Sequence, residues 1–188
     1  VRLVGSEMCI RDRLYVWFHN PFLQKQEIQT WVKLYKEHEL GDKVFLMNWE
    51  QSTDNFSALL ASMDCGVFPS LAEGWNLPAL ECLSLGKQLI ATHYSGHTEF
   101  LTEQNSQLIH FNNTETAYDG MWFKSGIGHW GKWTQHQDEQ LITSFREVHT
   151  KKQSSQNLLN TEGIKTAQQY SWANSADKIS CHLEQLEG

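Results

Sequence analysis

The chain has 188 residues, of which 40% are hydrophobic, and a formal net charge of −7 at pH 7. This length suits one globular domain with a core of its own, and the acidic balance excludes non-specific nucleic-acid binding, which needs a basic surface. No apolar run approaches the roughly 18 to 20 residues that span a bilayer, and no signal peptide is visible, so we expect a cytoplasmic protein and leave membrane association open.

Residues 1–13 do not match the rest of the chain. They have no helical or strand periodicity, and LVGSEMCIRDR resembles a translated sequencing adapter. A disordered native leader is the alternative interpretation. We predict a non-native leader over 1–13, which implies that the native N-terminal part is missing, and a single ligand-binding domain over 14–188.

Apolar runs and helical patterns then alternate along the chain. The runs that indicate strands lie at 14–18, 43–47, 65–68, 88–91 and 107–111. Helical patterns occur over 24–38, 54–63, 77–85 and 98–101, with Asp54 as the expected cap of the second and Gly86 ending the third. Alternation of this kind predicts βαβ units and a doubly wound parallel sheet, Rossmann-like, over about 14–112.

The remainder of the chain has a different character. Residues 112–135 form an aromatic-rich insertion that we expect to be irregular, with tryptophans at 122, 130 and 133 among several glycines. Helical periodicity resumes over about 136–187. Ser171 and Asn174 are the candidate caps of the last helix.

The segment after the third strand has the features of an anion site. In open α/β sheets, ligands bind at the carboxyl edge, where this loop lies. Asn76 is a good N-cap, and Pro78 is tolerated in the first helical turn. The helix N-terminus offers free N–H groups and a positive dipole end to a diphosphate, and Gly74 lets a ligand approach the backbone.

Two carboxylates bracket this anion site. Glu73 lies in the loop, and Glu81 lies about one turn into the helix. Carboxylates accept hydrogen bonds from sugar and ribose hydroxyls but repel phosphates, so they should flank the diphosphate. His97 could lie near the donor, because SGHTE (95–99) follows a strand end, but we favour a solvated or packing histidine. No cluster with metal-ligand spacing is visible.

PSLAEGWNLPALE (69–81) resembles the Glu-x7-Glu signature of retaining glycosyltransferases of the GT-B fold, in particular glycosyltransferase family 4. LGKQLIATHYSGHTEFL (85–101) resembles the next strand and turn of that family. KVFLMNWEQ (43–51) resembles its base-binding loop, and YSWANSADKI (170–179) the start of its C-terminal helix. The resemblance covers most of 14–180 and is weakest over the tryptophan-rich insertion.

The resemblance implies a role for each site residue. Glu73 would be catalytic, holding the donor sugar for front-face transfer, and Glu81 would bind ribose. Asn48 and Trp49 would lie near the base. The backbone groups that meet the sugar and diphosphate would belong to Gly74, Trp75, Asn76 and Leu77. The resemblance implies no metal, because cationic side chains and helix dipoles offset the diphosphate charge in this family. It implies no other cofactor either, and the nucleotide-sugar is a co-substrate.

The resemblance is partial. The family's cationic diphosphate-binding segment and its N-terminal acceptor-binding domain are missing from this sequence, so we expect the chain alone to be inactive. The sugar, the nucleotide and the acceptor, which could be a glycan, a lipid or a small molecule, are left open.

Other interpretations also stay open. A nucleotide-sugar epimerase of GT-B fold and a non-catalytic interaction domain are the alternatives to a glycosyltransferase. A Rossmann oxidoreductase is disfavoured, because no G-x-G-x-x-G opens a helix. Trp75 could pack or contact the sugar. The three insertion tryptophans could stack on an acceptor or fill a small satellite core, and we favour the core.

Overall fold

A computed structural model of the chain describes residues 13–17, 25–37, 41–47, 52–120, 123–124, 126–154 and 157–187. The chain divides into two compact units, one ending at Phe56 and the other beginning at Ser57. Each unit contains parallel strands that are connected through helices, as the alternating pattern predicts.

The first unit contains one parallel strand pair. Strand β1 (Leu14–Trp17) pairs with β2 (Val44–Met47), with Leu14 opposite Val44 and Trp17 opposite Met47. Helix α1 (Lys25–Lys36) lies between them in sequence and is followed by a 3-10 turn at Gly41–Lys43. A parallel pair needs a crossover connection, and this helix provides it.

Helix α2 (Thr53–Ser62) begins one residue earlier than its predicted cap. The prediction that Asp54 is the N-cap was wrong, because Asp54 lies inside the first turn. The hydroxyl of Ser52 instead accepts a hydrogen bond from the N–H of Asn55 at 3.3 Å. In its observed place, the Asp54 carboxylate interacts favourably with the positive end of the helix dipole.

The second unit is built on a three-stranded parallel sheet. Strands β3 (Cys65–Phe68), β4 (Gln88–Thr92) and β5 (Gln107–Ile109) lie in that order. Helix α3 (Leu77–Ser84) connects β3 to β4, and a 3-10 turn (Gly96–Glu99) lies between β4 and β5. Because the strands are parallel, the loops that follow β3 and β4 meet at one edge of the sheet.

Helices cover both faces of this sheet. Side chains alternate along β4, so Leu89 and Ala91 join one buried cluster and Ile90 joins the other. The first cluster includes Leu83 of α3. The second includes Leu141 of α4, which spans Gln135–Gln153. Burial on both faces confirms the predicted doubly wound α/β arrangement.

The aromatic-rich insertion contains a β-hairpin. Strands β6 (Thr114–Thr116) and β7 (His129–Gly131) pair antiparallel, with Glu115 opposite Trp130. The prediction of an irregular segment was therefore wrong for these residues. Strands of three residues are too short to show alternation, and the glycines at positive φ between them, Gly120, Gly126 and Gly128, indicate only turns.

Two helices complete the described chain. Helix α5 spans Thr161–Gln169 and α6 spans Trp172–Glu187. The Ser171 hydroxyl accepts a hydrogen bond from the N–H of Asn174 at 3.2 Å, which decides between the two candidate caps. Among the described residues, no helix is both long and apolar enough to cross a membrane. The cytoplasmic location stays a prediction.

Candidate functional site

The backbone of Glu73 is held by the turn that follows β4. Its N–H donates to the Ser95 hydroxyl at 2.6 Å, and its carbonyl accepts from the N–H of Gly96 at 3.0 Å. Ser95 has φ 66°, a conformation that costs a non-glycine residue about 1 to 3 kcal/mol. These two hydrogen bonds are part of the structure that offsets this cost.

Gly96 approaches the loop too closely for any side chain. A Cβ atom at this position would lie 1.9 Å from the Gly74 carbonyl oxygen and 3.0 Å from that of Glu73. At Gly74 itself, a Cβ would meet no atom within 4 Å. The two glycines therefore differ: Gly96 permits packing within the protein, whereas Gly74 leaves open space above the loop.

Two more contacts fix the start of the loop. The Thr92 hydroxyl donates to the carbonyl of Ser70 at 2.6 Å. The N–H of Gly131 in β7 donates to the carbonyl of Leu71 at 3.0 Å. The loop is thus tied to the end of β4, to the following turn and to the hairpin.

The Glu73 carboxylate is oriented by its own loop. The Ser70 hydroxyl donates to Oε1 at 2.5 Å, and both residues are half-buried. A carboxylate has about four lone-pair positions, so this bond leaves acceptor capacity for ligand hydroxyls. The geometry suits a group that accepts hydrogen bonds from a ligand in one fixed orientation.

Asn76 caps α3, as predicted. Its Oδ1 accepts a hydrogen bond from the N–H of Ala79 at 3.2 Å, and Pro78 lies in the first turn. Asn76 itself has φ 67° and ψ 62°, the left-handed conformation that asparagine tolerates better than most residues.

The loop and the helix start present free hydrogen-bond donors. The N–H groups of four consecutive residues have no acceptor among the described residues: Gly74, Trp75, Asn76 and Leu77. Donors of this kind at a helix N-terminus favour an anion.

A buried histidine supports the helix cap. His97 is fully buried, and its Nδ1 lies 3.3 Å from Asn76 Nδ2. Because Asn76 Oδ1 already accepts from the helix, Nδ2 is the donor and Nδ1 of His97 the acceptor. The proton of the neutral ring is then on Nε2, which donates to the Thr92 carbonyl. The imidazole thus links the end of β4 to the cap of α3.

The sequence did not reveal this role of His97. The interpretation as a solvated or packing histidine is correct only in that the side chain is buried. Its partner Asn76 lies 21 residues away in sequence, and no local pattern predicts that contact.

The neutral His97 predicts a stability that depends on pH. Burial lowers the pKa of this imidazole below its ordinary value of 6.5. The unfolded chain therefore binds the proton first, and stability falls as pH decreases from about 7 through 6.5 towards the lowered pKa. We expect His97→Gln to unfold more easily at pH 7.5 and to lose less stability than the wild type between pH 7.5 and 5.5.

Urea denaturation of both proteins across this pH range measures the effect. Because the carboxylates titrate in both proteins, the difference between the two pH profiles isolates the contribution of His97 to stability. Parallel profiles would show that folding does not lower the pKa of His97.

The other predicted site residues have distinct environments. Glu81 is exposed on α3, and partial burial raises the pKa of its carboxyl. Leu77 is 61% exposed one turn earlier, on the same helix face. The Trp75 ring packs against Phe100 and Tyr170, with centroid distances of 5.4 and 5.5 Å. The half-buried Trp75 side chain therefore packs against the core cluster, in agreement with the packing interpretation, and a contact with the sugar stays a prediction.

Some of the predicted features are not placed by the structure. Asn48 and Trp49, the predicted base contacts, lie outside the described residues. Within the described part of the chain, no group of three or more His, Cys, Asp or Glu side chains could hold a metal ion.

Comparison with known families identifies the region that contains this loop. The family model described as Glycosyl transferases group 1 matches residues 22–121, more than half of the chain. The chain belongs to the group 1 glycosyl transferases. The family match contains β3, the loop and α3, whereas β7 lies beyond its end. No curated protein sequence matches the chain.

Solved structures share the fold of this chain. Sucrose-phosphate synthase from Thermosynechococcus elongatus aligns over 92% of this chain with a TM-score of 0.63 and 17% identity. Anabaena HepE in complex with UDP aligns over 93% with a TM-score of 0.66 and 12% identity. HepE in complex with UDP-glucose aligns over 87%, with a TM-score of 0.61 and 14% identity.

At these identities the likeness establishes the fold, which is the Rossmann-like α/β fold of GT-B glycosyltransferases. The glycosyl transferase chain spans 37% of the synthase and 41% and 38% of the two HepE chains.

Proposed function

We propose that this chain is the donor-binding part of a retaining glycosyltransferase of family 4, which transfers a hexosyl group from a nucleoside diphosphate sugar to an acceptor. Family membership supports transfer, and the HepE structures were solved with UDP and UDP-glucose. The observation that carries the proposal is the row of four backbone N–H groups from Gly74 to Leu77, directly after the clamped Glu73.

The diphosphate occupies the row of N–H groups in this proposal. Pro78 has no N–H, and the N–H of Ala79 is taken by Asn76, so the free donors end at Leu77, the first residue of α3. The open space above Gly74 admits the phosphates to the backbone. The dipole of α3 adds a positive end at the same place.

The two carboxylates contact opposite ends of the donor. Glu73, oriented by Ser70 and fixed at its backbone, accepts from hydroxyls of the transferred sugar and is the catalytic residue. Glu81, exposed one turn along α3, accepts from the ribose hydroxyls. Charge repulsion keeps both carboxylates away from the phosphates, so they flank the diphosphate. No metal or other cofactor enters this scheme.

The acceptor is held by a second domain in this proposal. Helix α6 carries exposed apolar side chains at heptad-like spacing, a pattern that suits packing against another element. These residues are Trp172, Ile179, Leu183 and Leu186. Transfer requires donor and acceptor to be held together, and in this proposal the described residues supply the donor site.

We therefore expect the 188-residue chain to bind a nucleotide-sugar without transferring its sugar. The expected result with UDP-glucose and a mixture of glycan, lipid and small-molecule acceptors is no UDP release above the rate without protein. A coupled assay for released UDP measures turnover, and calorimetry with UDP on the same sample measures donor binding. Acceptor-dependent UDP release by the purified chain would overturn the need for a second domain, whereas absence of any nucleotide binding would count against the donor site.

A further inference from the structure

The β6–β7 hairpin is attached directly to the donor loop. Its Gly131 N–H donates to Leu71, two residues before Glu73, and the Tyr94 hydroxyl donates to the carbonyl of His129 at 3.1 Å. The Phe111 ring lies so close to Gly131 that a Cβ there would meet it at 2.2 Å. The base of the hairpin is thus packed tightly beside the candidate site.

The tryptophans of the aromatic-rich insertion differ in their surroundings. Trp133 packs against the Phe111 ring at 6.1 Å and donates from Nε1 to Asp138 at 2.9 Å. It belongs to the partly buried shell of a core cluster, which agrees with the satellite-core interpretation for this residue. Trp130 does not join either core cluster. Trp122 lies outside the described residues.

Trp130 forms an accessible aromatic pair with Phe123. Their ring centroids are 5.9 Å apart at an angle of 71°, and Phe123 is 48% exposed. The Trp130 Nε1 donates to the Glu115 carboxylate at 3.3 Å, and the Asp119 carboxylate accepts from the Phe123 N–H at 2.8 Å. We call these four residues the hairpin surface.

The composition of the hairpin surface indicates its ligand. Aromatic faces stack on the apolar C–H face of a pyranose ring, and carboxylates accept hydrogen bonds from its hydroxyls. Two carboxylates beside the rings disfavour an anionic membrane. They also disfavour a purely apolar partner, since removing a charged carboxylate from water would be costly. Neutral carbohydrate satisfies both kinds of group.

We propose that the hairpin surface binds a sugar ring of the acceptor, next to the loop that carries Glu73. This inference rests on the proposed function, because it takes the neighbouring loop as the donor site. It assigns part of acceptor recognition to the donor-binding part of the enzyme, on an element whose second strand lies beyond the family match.

Ligand-observed NMR on the 188-residue chain tests this inference with methyl glucosides, galactosides and mannosides of both anomeric forms. At least one glycoside should bind, whereas sorbitol, which has hydroxyls but no ring face, should not. Phe123→Ala should weaken glycoside binding about tenfold. Phe123→Tyr, which keeps the aromatic ring, should retain glycoside binding. Ile127→Ala, which removes a more exposed apolar side chain from the same hairpin, should leave it unchanged.

The outcomes separate this inference from the proposed function. Absence of glycoside binding, or binding that Phe123→Ala leaves unaffected, would overturn the carbohydrate assignment and leave another protein chain as the occupant. Titration of the same Phe123→Ala sample with UDP should give the wild-type affinity. Failure of the wild type to bind any nucleotide would count against the donor site instead.

Discussion

Replacing Gly96 by alanine is expected to lower the free energy of unfolding by about 2 to 3 kcal/mol and to abolish nucleotide binding. The new methyl group would lie 1.9 Å from the Gly74 carbonyl oxygen, so the backbone itself must move. That movement breaks the hydrogen bond from the Gly96 N–H to Glu73 and displaces the N–H groups that follow. Urea denaturation measures the stability, and calorimetric titration with nucleoside diphosphates measures the binding.

Gly74→Ala is the matched control in the same loop. A Cβ at Gly74 meets no atom within 4 Å, so stability should change by no more than about 0.5 kcal/mol. Nucleotide affinity should still fall, because the methyl group occupies the space through which the diphosphate approaches the backbone. Equal losses of stability in the two variants would show that the contact between Gly96 and the loop is not the constraint that the geometry indicates.

The sequence predicted those parts of the fold that depend on neighbouring residues. The five parallel strands follow from short apolar runs, and the start of α3 follows from Asn76 and Pro78, whose effects act within one turn. The position of Glu73 after β3 and of Glu81 on α3 could be read in the same way. The cap of α2 was missed by two residues because serine and aspartate are both good caps.

The hydrogen bonds that hold the site in place could not be predicted, because they join residues that are distant in sequence. Ser95 lies 22 residues from Glu73 in sequence. Gly131, whose N–H donates to Leu71, lies outside the family match. The link between His97 and Asn76 is of the same kind. Composition and periodicity carry no information on such pairs, since each pair depends on how the loops meet at the edge of the sheet.

The two carboxylates should have separable effects on donor binding. A lost hydrogen bond to a charged group costs roughly 1.5 to 3 kcal/mol, or about ten- to a hundredfold in affinity. Glu81→Ala should therefore weaken the binding of a nucleoside diphosphate and of its sugar conjugate alike, because the proposed partner, ribose, is present in both. Glu73→Ala should leave the affinity for the nucleoside diphosphate within about twofold, because the proposed partner of Glu73 is the sugar alone. In an enzyme that also contains the acceptor domain, Glu73→Ala should mainly reduce transfer.

Calorimetric titration of the wild type, Glu73→Ala and Glu81→Ala with UDP, GDP and ADP tests the donor site most directly. Urea denaturation of the three proteins controls for stability, which neither substitution should change greatly. We expect the wild type to bind at least one of these nucleotides. Glu81→Ala should lower the affinity for that nucleotide at least tenfold, whereas Glu73→Ala should not. The assignment of the donor site would be contradicted if no nucleotide binds the wild type, or if the two variants weaken binding equally.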